Sequence, residues 1–368
     1  MLTIAVDMMG GDHGIKVTVP GALHAMLKAI DSKKPSVDFV LVGNEPVIKS
    51  ALNDLFLTDR QLRKSRRRLL NHLSFVHTDQ QIGMDEKPSV ALRTKRSSSM
   101  RIAVNLVKQG RAQAVVSAGN TGALVAVSRY VLKMFPDIDR PAIVSKIPTQ
   151  SGHCYMLDLG GNVDTSAKHL LQFAAMGSIL ATELDHVLKP RVGLLNIGEE
   201  DIKGNEQVQQ AALLLQKSPW INYCGYIEGD AIYSGDFDVV VCDGFVGNVA
   251  LKSSEGVARF IMQLIKQEAL RSVHRRALAL ATKPILKAVK RRIDPRQYNG
   301  ASLVGLKGIV VKSHGGADKF GFAKAIGLAI TEADKNIASL IGERLTMVSG
   351  DQESDSMVSS TRSSKSYA

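Results

Sequence analysis

Ser117-Ala118-Gly119-Asn120-Thr121-Gly122-Ala123 follows the strand-like Ala114-Val115-Val116 and opens into Leu124-Val125-Ala126-Val127, a run able to continue as a helix. Two glycines flank an Asn-Thr pair at the point where a strand becomes a helix. Backbone N–H groups and the positive end of a helix hold an anion such as phosphate at a junction of this kind. Read alone, the stretch is equally a simple turn. Its weight comes from further polar, glycine-rich loops that also follow apolar strands.

Those strands set the fold class. Apolar runs at Thr3–Val6, Asp38–Val42, Ala114–Val116, Ala142–Lys146, Tyr155–Leu159, Val192–Asn196, Val239–Cys242 and Gly308–Lys312 alternate with helical patterns such as Lys168–Leu184 and Glu206–Gln216. Near-continuous apolar strands separated by helices predict an α/β fold, three layers around a mostly parallel sheet. No Pro- or Ser-rich linker interrupts residues 1–345, which read as one α/β domain, and the Ser-rich stretch 346–368 reads as a disordered tail. Within the domain, residues 255–296 predict a protruding basic helical hairpin with Val257, Phe260, Ile261, Leu264 and Ile265 at helical spacing, broken at Pro284.

Composition narrows the function. The 368 residues are 45% hydrophobic, as in a soluble globular protein, and no apolar run reaches membrane-spanning length. The opening Met1-Leu2-Thr3-Ile4-Ala5-Val6-Asp7 reads as a first core strand without a signal segment, which predicts a cytoplasmic protein. Cys154, Cys224 and Cys242 are odd in number and far apart, so reduced thiols are expected rather than a disulfide frame or a metal site. The net charge of +12 is concentrated in two places. Asp59–Arg68 holds six basic residues and one acid, and Lys266–Arg296 holds ten basic residues and two acids. Local basicity predicts a local anionic partner. Aromatics make up 5% and do not interleave with the basic runs, so nucleic acid is not expected.

In an open parallel sheet, ligands bind where strands end and helices begin. Asp7-Met8-Met9-Gly10-Gly11-Asp12-His13-Gly14 is the first such junction; its plainer reading is a turn with solvated acids. Lys95-Arg96-Ser97-Ser98-Ser99 sets a cation beside consecutive hydroxyls before a helix, which suits phosphate or a helix cap with a solvated lysine. Asp158-Leu159-Gly160-Gly161-Asn162-Val163-Asp164, Gly198–Glu206, Asp243-Gly244-Phe245-Val246-Gly247-Asn248 and Lys312-Ser313-His314-Gly315-Gly316-Ala317-Asp318 repeat the pattern. The chain lacks a G-x-x-x-x-G-K-[ST] loop, a G-x-G-x-x-G after the first strand, a G-x-S-x-G elbow and an H-E-x-x-H pair. That excludes the signatures of P-loop NTPases, Rossmann dehydrogenases, serine hydrolases and zinc proteases.

Taken in order, Ala5–Gly14, Ile82–Pro88, Ser117–Ala123, Gly193–Glu200, Val241–Asn248, Tyr298–Ala301 and Gly308–Gly315 resemble the acyl-ACP:phosphate acyltransferase (PlsX) family of bacterial phospholipid synthesis. The resemblance runs from about residue 2 to 343. Met8, Lys16, Gly161 and Gly316 depart from it, and the Ser-rich tail is peculiar to this chain.

The resemblance implies conversion of a fatty acyl thioester on acyl carrier protein, with inorganic phosphate, to acyl phosphate and free carrier protein. It also implies a fold similar to isocitrate dehydrogenases and phosphate acetyltransferases, a homodimer, and delivery of product to a membrane glycerol-3-phosphate acyltransferase. No cofactor or metal is expected. On this reading Lys95, Ser97, Ser98, Asn120, Thr121 and Gly122 bind phosphate, while Asn162, Asn205, Asn248 and His314 orient the thioester or donate to its oxyanion. Asp7, Asp12, His13 and Asp164 organise these groups, with His13 or His314 as proton donor. Arg275, Arg276, Leu278, Leu280, Leu286, Lys287, Lys290 and Arg291 are expected to meet the carrier protein or an anionic membrane surface. A phosphate acetyl- or butyryltransferase acting on coenzyme A thioesters is the alternative.

Overall fold

The computed structural model describes residues 2–32 and 36–345; the stretch expected as a tail, 346–368, lies outside the described residues, as does the side chain of Lys290. The chain begins β1 (Leu2–Asp7), α1 (Ile15–Asp31), β2 (Val37–Gly43), α2 (Glu45–Thr58), α3 (Arg60–Leu70) and β3 (Leu73–His77). It continues through α4 (Pro88–Thr94), α5 (Ser99–Lys108), β4 (Ala114–Ser117), α6 (Thr121–Leu132), β5 (Ala142–Thr149), β6 (Gly152–Leu157) and α7 (Ala167–Asp185). Next come β7 (Arg191–Leu195), α8 (Glu206–Gln216), β8 (Asn222–Ile227), β9 (Val239–Val241) and α9 (Gly244–Leu270). The last elements are α10 (Val273–Ala281), α11 (Lys283–Ile293), β10 (Ala301–Val304), β11 (Ile309–Lys312) and α12 (Lys319–Asp334), followed by helical residues 337–345.

Among the described residues, eleven strands join one sheet in the order β3-β2-β1-β4-β11-β10-β5-β6-β9-β7-β8. The pairings β3-β2-β1-β4-β11 are parallel, and so are β6-β9-β7-β8. Between these blocks, β10 is antiparallel to both β11 and β5, and β5 is antiparallel to β6. The two parallel blocks therefore run in opposite directions. Their carboxyl ends lie on opposite edges of the sheet.

Alternation along each strand feeds both faces. Ile4 and Val6 of β1 join Phe39, Met26 and Phe322 beneath α1 and α12, while Ala5 joins Val115, Val104 and Leu124 beneath α5 and α6. In the second block α7 packs Leu170, Phe173 and Met176 over Tyr155, Leu157, Val239 and Val241. Strands covered on both faces explain the apolar runs. Three strands had no such run. Of these, β3 and β8 are edge strands with half-exposed residues, and β10 is four residues long.

The predicted hairpin differs in detail. A helix starts at Gly244, capped by the Asp243 side chain, and breaks first at Arg271-Ser272 and again at Thr282, just before Pro284, so the expected break is present and a second one precedes it. Pro284 stands in the first turn of α11, where its missing N–H has no helical partner to lose. Beyond Gly247 no described residue of α9, α10 or α11 is buried. Arg292 bonds to the Gln150 carbonyl at 3.0 Å and Arg296 to Asp318 at 2.7 Å, so the protrusion, which leaves from the end of β9, returns at the edge where β1, β4 and β11 end.

Candidate active site

At that edge the chain makes its topological switch: it moves from β1 outward to β2 and β3, then returns to β4 on the other side of β1. The crevice outside β1 and β4 is where an open parallel sheet binds its ligand. Here the loops after β1, β4 and β11 converge. Asp12 N donates to Gly315 O at 3.0 Å, and Ser313 N to Ser117 O at 2.9 Å. A Cβ on Gly10 would stand 2.6 Å from Gly119 N, and one on Gly11, whose φ is +93°, 3.1 Å from Gly315 O. Only glycine allows backbones this close. The resulting cleft is lined by Gly10, Gly11, His13, Ala118, His314 and Gly315 among others.

Beneath it lie two buried charges. Ser117 Oγ donates to Asp7 Oδ2 at 2.7 Å and itself accepts from Gly119 N at 3.1 Å, so Asp7 ties β1 to the turn after β4. Burial pushes the Asp7 carboxyl above its usual range, against the pull of hydrogen bonds from Ser117 and neighbouring backbone. Lys312, 7% exposed, sends its Nζ to the carbonyls of Ala118 and Ser313. Burial lowers its pKa to about 8 despite the opposing charges of Asp12 and Asp7. In the sequence this lysine only starts the Lys312–Asp318 loop and nothing marks it as a site residue; its burial arises from the β4–β11 pairing.

His314 is exposed at the rim. Its Nδ1 accepts from Gly316 N at 3.1 Å, so a neutral ring carries its proton on Nε2. Asn299 holds the loop, accepting from His314 N at 3.0 Å and donating to Ser313 Oγ at 2.9 Å. Asn299, inside the quoted Tyr298–Ala301 motif, was likewise not singled out.

The expected phosphate residues divide. Lys95 is half-exposed and forms no ion pair among the described residues, and Ser97 is exposed. Ser98 is a correction: it is buried, and its hydroxyl accepts from Arg101 N as the cap of α5, so it is not presented to a ligand. Asn120 is also occupied. Its Oδ1 caps α6 at Ala123 N, and its Nδ2 donates to Met84 O at 2.8 Å and Glu86 O at 3.0 Å. It thus fastens the 83–88 loop to the N-terminus of α6, leaving the exposed Thr121 and Gly122 in the first turn. The N-termini of α1, α5, α6 and α12 all open on this edge. Their unpaired N–H groups and dipoles make it favourable for an anion.

The remaining expected residues lie elsewhere. Asn162, Asp164, Asn205 and Asn248 follow β6, β7 and β9, whose carboxyl ends face the opposite edge. Strand spacing alone puts β6 about 19 Å from β4, so within one chain these groups do not join the His314 cleft. Their partners are local. Asp158 accepts from Ile143 N, Gly161 N and Asn162 N at 2.6–3.0 Å, and Asn162 Nδ2 bridges Asp158 and the Pro141 carbonyl. Asn205 caps α8 at Val208 N, and the Asp164 carbonyl accepts from Arg140. Asn248 packs against Gly160.

The family described as "Fatty acid synthesis protein" matches residues 2–340. A "Phosphate acyltransferase" of Methylococcus capsulatus is 53% identical over 348 residues, covering 95% of this chain and 98% of that protein. One of Alkalilimnicola ehrlichii is 52% identical, covering 96% and 98%. Among solved structures, a phosphotransacetylase from Streptococcus pyogenes aligns with TM-score 0.57 at 15% identity over 90% of this chain and 94% of that one, which is a likeness of fold. The family match spans every strand of the sheet and the whole cleft from Asp7 to Asp318, and the chain belongs to the fatty acid synthesis protein family.

Proposed function

We propose that the chain transfers a fatty acyl group from acyl carrier protein to inorganic phosphate, for phospholipid synthesis. The observation that carries this reading is the cleft at the β1/β4 switch point, where four helix N-termini open on the edge that holds His314 and the buried ammonium of Lys312. Phosphate is a nucleophile at neutral pH, so no covalent enzyme intermediate is required. A phosphate oxygen attacks the thioester carbonyl, the C–S bond breaks, and an acyl phosphate and a thiolate form. The proton that hydrogen phosphate sheds on becoming a mixed anhydride neutralises the thiolate, whose thiol has a pKa of roughly 8.5. The protein's part is to bind phosphate, hold the thioester carbonyl against it and stabilise the oxyanion.

Lys95, Ser97, Thr121 and Gly122 hold phosphate against the α6 N-terminus. His314 Nε2–H donates to the oxyanion, Asp7 and Asp12 fix the loops, and His13 faces the same cleft. Ser98 and Asn120 act through the helices they cap. The protruding helices rest on the anionic cytoplasmic face of the membrane, near the acyltransferase that consumes the product. Their exposed Leu278, Leu280 and Ile285 beside Arg275, Arg276, Lys287 and Arg291 support that role, and Leu286 is half-buried. The working form is a homodimer. Coenzyme A thioesters are the second reading; the structures at 15% identity share the fold only.

Lys95→Ala, Asn120→Ala and His314→Ala test the site. Each is expected to lower phosphate-dependent kcat/KM by tenfold or more in folded protein; unchanged turnover in all three contradicts it.

A further inference from the structure

On α3 the residues Arg60, Arg63, Lys64 and Arg67 stand at i, i+3, i+4 and i+7, and all are exposed. The buried Leu62 and Leu69 lie on the opposite side of the helix. The other cations of this run are held: Arg68 pairs with Asp31 at 2.8 Å, and Arg66 sits over Phe56 and bonds to Asn53. Among the described residues the four-cation stripe forms no ion pair. Like charges at i, i+3 and i, i+4 repel, so the stripe disfavours its own helix until an anionic surface meets it.

The position of α3 connects it to the cleft. Its cap, Asp59, lies 3.9 Å from His24 of α1 and is held below the usual carboxylate range, chiefly by the Leu62 backbone N–H, with His24 and Lys319 contributing. The helix α1 starts at the cleft residue Gly14, and His24 is ten residues along it, about 15 Å away. A flexible prosthetic arm spans such a distance.

We infer that the Arg60–Arg67 face of α3 docks the acidic acyl carrier protein, placing its thioester-bearing arm over the cleft. The inference rests on the acyltransferase reading above. The face differs from the protruding helices in chemistry. Leu62 and Leu69 of this helix are buried in the core and Leu70 at its last turn is the one exposed leucine, so it presents charge with little inserting surface, which suits a salt-sensitive protein contact rather than a bilayer.

The test compares palmitoyl-carrier protein with palmitoyl-coenzyme A as substrates for the full chain and for the variant Arg60→Glu/Lys64→Glu/Arg67→Glu. The expected result is a KM for the carrier-protein substrate raised tenfold or more, with kcat and all coenzyme A kinetics unchanged. The milder Arg63→Gln/Lys64→Gln is expected to give a smaller rise in the same KM, and added salt to raise the wild-type value. Equal KM for variant and wild type overturns the docking face, as does loss of binding to anionic vesicles with carrier kinetics intact. A wild type that acylates phosphate equally well from both substrates removes the docking and leaves the acyltransferase. Absence of phosphate-dependent transfer from either substrate overturns both.

Discussion

Lys312 concentrates the residue-scale argument. Its ammonium lies under the loops that form the cleft, and burial lowers its pKa to about 8. The account predicts that KM for phosphate climbs as pH rises through 8, and that Lys312→Met shows a weaker affinity without this inflection. Stability moves with the opposite sign. In the unfolded chain the lysine keeps its proton to about its ordinary value of 10.5, so folding removes a bound proton between 8 and 10.5, and stability gains as pH rises there. Glu332 gives a second case. It is buried against the Ser302 hydroxyl in a separate cavity of about 110 Å³, on the far side of Asn299, and burial raises its pKa from 4.5 to about 7. The folded chain then holds the proton longer than the unfolded one, so stability falls as pH rises from 4.5 to 7, by on the order of 3 kcal/mol. Melting curves of Glu332→Gln are expected to lack that fall; an unaltered pH slope contradicts it. Neither residue was selected from sequence. Lys312 stood inside a quoted loop and Glu332 inside a helix, and burial through long-range packing leaves no local pattern.

At the scale of elements, the polar loops have a second use that residue type foretells. Asn120, Asn205, Asp243 and Asp318 each accept from a backbone N–H of the helix they precede. Asn205→Ala is expected to cost about 1 kcal/mol of stability and leave KM for phosphate unchanged. Asn120→Ala is expected to cost a similar amount and also to raise that KM, because it releases the 83–88 loop. The protruding helices make a separate prediction. Leu278→Asp/Leu280→Asp is expected to abolish flotation with anionic liposomes while sparing turnover of soluble substrate; equal flotation of variant and wild type refutes contact there. Helical spacing and basic content announced this element. Its start at Gly244 was hidden because Gly244, Gly247 and Asn248 read as loop residues, yet Asp243 caps them into a helix.

For the molecule as a whole, alternation of apolar strands and helices carried the α/β class and most strand positions. It could not carry strand direction. A strand reads the same in either sense, so the loops after β6, β7 and β9 looked equivalent to those after β1, β4 and β11. The antiparallel β10, β5 and β6 reverse the second block and divide the polar loops between two edges. One edge gathers the switch-point cleft, the N-termini of α1, α5, α6 and α12, and the return of the protruding helices at Arg292 and Arg296. The central claim is that this edge uses phosphate, rather than water or a protein side chain, to take the acyl group. The most direct measurement is thiol release from palmitoyl-carrier protein with and without phosphate, with the acyl product trapped by hydroxylamine. The account predicts release only with phosphate, matched one for one by a hydroxylamine-reactive acyl phosphate; release at equal rate without phosphate contradicts it.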